Sequence, residues 1–68
     1  MFDEHSPVVL TRALPSRRLE LGALGVVVHV HGLGIAYEVE FLNGDGRTIA
    51  VETVPAEDLR AAPESAGA

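Results

Sequence analysis

Apolar and polar positions along the chain fall into short blocks separated by turn-forming residues. The first block, "PVVLTRAL" from Pro7, is short and rich in β-branched residues, as a strand requires. "VVVHV", residues 26–30, holds four valines in five positions and reads as the firmest strand. "AYEVEFL", residues 36–42, alternates cleanly, with Tyr37, Val39 and Phe41 on one face and Glu38 and Glu40 on the other. "TIAVET", residues 48–53, sets Ile49 and Val51 on a single face. The stretch "PSRRLELGALG", residues 15–25, has proline at its head and glycines near its end, and reads as an irregular excursion between strands. "PAEDLR", residues 55–60, winds one short helical turn that ends with Leu59 pointing inward. Residues 1–6 read as a flexible start and residues 61–68, "AAPESAGA", as a disordered tail.

Turn chemistry fixes the expected pairings. A two-residue loop at Leu33-Gly34 sets His31 opposite Ala36, His29 opposite Glu38 and Val27 opposite Glu40. The same register sets Val30 opposite Tyr37, Val28 opposite Val39 and Val26 opposite Phe41. "NGDGR" is a second turn; a three-residue loop Gly44-Asp45-Gly46, with Gly46 left-handed, pairs Phe41 with Ile49 and Val39 with Val51. Both hairpins then bury the same face, and a slip of one residue would turn the apolar set outward.

A one-faced sheet this small must curl or close to hide its core and its edges. The expected fold is therefore all-β: a small SH3-like barrel of about five antiparallel strands, with a short helical turn before the last strand. One domain spans residues 7–60. Its expected core is Val8 or Val9, Leu10, Leu24, Val26, Val28, Val30, Tyr37, Val39, Phe41, Ile49, Val51 and Leu59.

Composition narrows the function. A 68-residue chain has room for one small core, and a domain of this size hides only about 60% of its unfolded surface. There is no cysteine, which excludes disulfides and thiolate zinc sites. Ten acidic residues against five arginines, with no lysine, give a net charge of −5. Nucleic-acid binding rewards clustered positive charge, so a nucleic-acid partner is not expected. No apolar run approaches the ~20 residues that span a bilayer, and "MFDEHSP" lacks the basic start of a secretory signal. The expected setting is cytoplasmic, without a membrane partner.

The order of these stretches is familiar. "VVL-x-x-ALP", "GALGVVVHVHGLGIAYEVEF" and "GDGRTIAVETVPAEDLR", together covering roughly Pro7 to Arg60, resemble a family of small bacterial proteins catalogued as domain of unknown function 4926. The resemblance implies a compact barrel and a gene neighbourhood of other small genes, some of them toxin-like. An antitoxin or immunity role is what that company implies. A fainter likeness, in strand pattern alone, is to other SH3-like barrels such as the small accessory subunit of photosystem I.

Few residues suggest chemistry. His29 and His31 share a strand face, so they could hold one metal ion, with Glu38 across the strand as a third ligand. The pair reads first as ordinary solvent-facing strand residues, with metal binding and a pH-sensitive contact as the lesser alternatives, since imidazoles titrate near neutrality. The glycine clusters lead into strands and not into a helix N-terminus, so they are turns and not phosphate cradles. Glu38 and Glu40 lie on a wet face, without the apolar pocket that acid–base catalysis requires. No serine has a histidine and an acid arranged to activate it. No cofactor is expected and no catalytic residue is assigned.

The residues expected to bind are Arg17 and Arg18 in the long loop, together with an acidic face of Glu38, Glu40 and Glu52. Arginine forks suit carboxylates and their stems pack on apolar surface. The expected function is a non-enzymatic protein-binding module, an antitoxin or immunity-type partner of a neighbouring toxin or effector. The alternatives are a structural accessory subunit of a larger enzyme and a weak metal-binding protein acting through the His-x-His pair. An open sheet edge also allows a homo-oligomer.

Overall fold

In the computed structural model, residues 2–15 and 18–63 are described. Five strands follow one another: β1 (Pro7–Leu10), β2 (Leu24–His31), β3 (Ala36–Leu42), β4 (Thr48–Pro55) and β5 (Leu59–Ala61). A 3₁₀ turn, Ala56–Asp58, enters β5. All pairings are antiparallel and form one sheet in the order β4-β3-β2-β1-β5. That is the expected all-β fold, with the strand order of an SH3-like barrel.

Among the described residues no second layer covers this sheet, yet one cluster unites Val8, Leu10, Val27, Tyr37, Val39, Phe41, Val54 and Leu59 from all five strands. A flat sheet cannot bury them, so the sheet wraps around its own inner face. The radius of gyration, 10.7 Å, agrees with the roughly 11 Å of a fully packed chain of this length. Leu19 seals the cluster from the long loop, where Leu14 and Leu19 form a β-bridge.

The hairpin turns form where expected, but each strand beside β3 carries a bulge. In the first hairpin, His31↔Ala36, Val30↔Tyr37 and His29↔Glu38 hold as expected. Between His29 and Val27 the register shifts, and Val27 pairs with Val39, Val26 with Glu40 and Gly25 with Phe41. The expected pairs Val27–Glu40, Val28–Val39 and Val26–Phe41 are therefore replaced. Val28 is the extra residue, and both Val28 and His29 are exposed, as expected where two bulge residues face one partner. The turn itself spans Gly32–Ile35 and not Leu33-Gly34 alone, with positive φ at Gly32 and Gly34.

The second hairpin repeats the pattern. Asn43 N–H donates to Arg47 O, Gly46 N–H to Asn43 O, and Gly46 has φ +79°, which is the expected three-residue loop. The Asn43 Oδ1 accepts from the N–H groups of Asp45 and Arg47 and locks the turn. Leu42 pairs with Thr48, but Phe41 then pairs with Ala50, Val39 with Glu52 and Tyr37 with Val54. Ile49 is the residue skipped.

These two bulges correct the core. Val27 and Val54 are fully buried, while Val28, Ile49 and Val51 are 39%, 55% and 50% exposed. Leu24 and Val26 are half-buried, and Val30 packs against the core from its margin. Val8, Val9, Leu10, Tyr37, Val39, Phe41 and Leu59 lie inside as expected.

The start of the chain runs along β2. His5 N–H donates to Val27 O at 2.6 Å and Val27 N–H to Ser6 O at 3.0 Å, which extends the β1–β2 ladder. Phe2 N–H donates to the Tyr37 hydroxyl at 3.0 Å, and the two rings meet edge-on at 5.2 Å. At the other end, β5 includes Ala61, and Ala62 N–H donates to Pro7 O, so the ladder passes the expected limit at Arg60. Residues 64–68 of the expected tail lie outside the described residues.

Candidate functional site: the outer face of β3 and β4

Tyr37, Val39 and Phe41 turn inward along β3, so strand alternation sends Glu38 and Glu40 to the outer face. Both carboxylates lean toward β4. The Thr53 hydroxyl donates to Glu38 Oε1 at 2.8 Å, and the Thr48 hydroxyl donates to Glu40 Oε2 at 2.6 Å. Short hydroxyl-to-carboxylate bonds of this kind are charge-assisted and fix the acceptor's orientation. Each carboxylate still keeps acceptor sites for a cation.

The bulges arrange apolar groups beside these acids. Val26 and Val51 flank Glu40 in one cross-strand row, while His29 and Thr53 flank Glu38 in the next. Val51 is 50% exposed there. The result is a face of fixed negative charge set among β-branched side chains. This mixture favours a cationic side chain whose stem is apolar.

His29 and His31 lie at one end of this face. Their rings meet edge-on with centroids 4.8 Å apart. Glu38 pairs across the strand with His29, but its side chain approaches His31 diagonally, with Nε2 to Oε2 at 3.7 Å. That is within ion-pair range for a protonated ring and beyond a hydrogen bond. Accordingly, the buried Nε2 of His31 has no hydrogen-bond partner. Among the described residues, no three histidine, cysteine, aspartate or glutamate side chains group as a metal site.

The remaining expected binding residues are scattered. Glu52 pairs with Val39 and so shares the inner-facing side of its strand, away from Glu38 and Glu40. The bulge at Ile49 causes this separation, because it reverses the parity of everything after it. Arg17 lies outside the described residues. Arg18 is exposed and left-handed at φ +58°, a conformation uncommon for a residue with a Cβ. It stands at the rim of an open cleft of about 310 Å³, with Leu19, Leu21, Leu42 and Ile49 among its lining residues.

Thr48 and Thr53 belong to the face and were not singled out by sequence, while Val51 belongs to it although it was expected in the core. In the correct register Thr53 stands opposite Glu38 and Val51 opposite Glu40, while Thr48, opposite Leu42, reaches Glu40 diagonally. No helix among the described residues is long and apolar enough to cross a membrane.

No curated protein and no solved structure matches the chain. Residues 4–61, which span part of the N-terminal segment and all five strands, match the family model described as Domain of unknown function (DUF4926), and the chain belongs to that family.

Proposed function

We propose that the protein is a non-enzymatic binding module that docks on a larger, basic protein partner and covers its working surface. The observation that carries this reading is the pair Glu38 and Glu40, aimed by Thr53 and Thr48 across exposed Val51. Neither acid sits in an apolar pocket of the sort that raises one carboxylate into a catalytic range. Fixed carboxylates that complement a basic cleft would steer association and exclude wrong partners. A toxin or effector encoded beside the gene, as the resemblance implies, is the partner class of first choice. The protein would act there by steric and electrostatic occlusion, in a cytoplasmic setting.

Mixing the purified protein with the product of the neighbouring gene tests this directly. The expected result is a stable complex whose affinity falls as salt rises, because exposed charges are screened over ~10 Å at 0.1 M. Glu38→Lys with Glu40→Lys should weaken it at least about tenfold, equivalent to ~1.4 kcal/mol. A complex that is indifferent to salt and to both substitutions removes this face from the account.

A further inference from the structure

The outer face ends at β4, which has β3 on one side and no strand on the other among the described residues. An edge strand of this kind offers a row of backbone donors and acceptors to an incoming chain. Its usable length is set by the structure. The bulge at Ile49 distorts one end, and Pro55 ends the strand, with Ala56 N–H turned back to Ile35 O. Ala50 to Val54 remains as a regular stretch.

We infer that β4 is a strand-addition site for an extended partner segment carrying basic residues at alternate positions. The inference rests on the binding-module reading above and specifies how the partner is held. A strand added to β4 lies about 4.8 Å beyond it. The Glu38 and Glu40 carboxylates already reach β4, as their bonds to Thr53 and Thr48 show, and so lie within an arginine's length of a strand added to it. An arginine opposite Val51 lays its stem on that valine and brings its guanidinium to Glu40. The next residue on the same face, two positions along, lies opposite Thr53 and reaches Glu38. Backbone hydrogen bonds supply affinity and the alternating cations supply selection.

A second copy of this chain fits the same edge less well. From Thr48 to Pro55 the strand has no basic residue, and the whole chain carries a net charge of −5. Pairing β4 with itself would place two sets of Glu38 and Glu40 on one continuous face. Like charges brought together in this way oppose assembly.

The test uses the full chain and three fluorescent peptides of sequence Thr-Arg-Val-Arg-Val-Arg-Thr. One is unmodified, one is N-methylated at its arginines and one at its valines. In an extended strand, alternate N–H groups point to opposite edges, so only one methylated peptide loses its bonds to β4. The expected result is binding by the unmodified peptide, retention by one methylated form and at least a tenfold loss by the other. Alternate amides between Ala50 and Val54 should then exchange more slowly with solvent. Equal binding by both methylated peptides overturns strand addition, and if Glu38→Lys with Glu40→Lys still weakens all three, the acidic face survives on its own. No peptide binding, or a peptide-free dimer that protects the same amides, also overturns the inference. Alternation that persists unchanged in the double variant instead removes the acidic face and the choice of a basic partner.

Discussion

Gly25 shows how closely single residues are specified. It lies in β2 opposite Phe41, and a Cβ built there would come within 2.5 Å of Val39 Cγ1 and 2.9 Å of the Glu40 carbonyl oxygen. A strand glycine commonly marks such a close approach. Gly25→Ala must push backbone or core apart, and overpacking of this kind costs about 1–3 kcal/mol. Gly44→Ala is the matched control, since a Cβ there meets nothing within 4 Å. It should shift stability by less than about 0.5 kcal/mol. Urea unfolding of the two variants measures both, and equal midpoints would contradict the packing described here. The Arg12–Asp58 ion pair, at 3.8 Å with a mostly exposed guanidinium, is a minor contributor by comparison.

The decisive features at the scale of elements are the two bulges. Val27 is fully buried and Val28 is 39% exposed, although they are adjacent and identical in chemistry. Val27→Ala should cost about 2 kcal/mol, from two methyl groups at ~0.8 kcal/mol each plus the cavity left behind. Val28→Ala should cost less than about 0.5 kcal/mol. Equal losses in denaturant titrations would show that β2 runs without its bulge.

The bulges also mark where the sequence stopped being informative. Both turns were legible because Asn43-Gly44-Asp45-Gly46 and Gly32-Leu33-Gly34 carry specific backbone demands. β3 was legible because its alternation is strict. In "GVVVHV" and "TIAV", by contrast, consecutive apolar residues satisfy either parity, so nothing in the pattern reports an extra residue. Continuing each register past its bulge turned Val28, Ile49 and Val51 inward and brought Glu52 beside Glu38. Two weaker signals pointed the other way: Gly25, which fits beneath a large side chain, and Val54, which has the opposite parity to Val51. The acidic pair itself was read correctly onto one face because β3 has no bulge.

For the whole molecule, the fold and the proposed contact surface follow from the same economy of layers. One wrapped sheet supplies both the interior and the proposed contact surface, and β3 divides them by alternation, with Tyr37, Val39 and Phe41 inside and Glu38 and Glu40 outside. The bulge in β4 then turns Val51 and Thr53 to the acidic side and Val54 to the core. The central claim is that this outer face is the surface through which the protein acts. Quantitative capture from native cells tests it most directly, with the natural chain and the Glu38→Lys, Glu40→Lys double variant as parallel baits, each shown to be folded. The account predicts a basic protein that is enriched on the natural chain, lost from the double variant and released by salt. Retention of the same proteins by both baits at every salt concentration would contradict it.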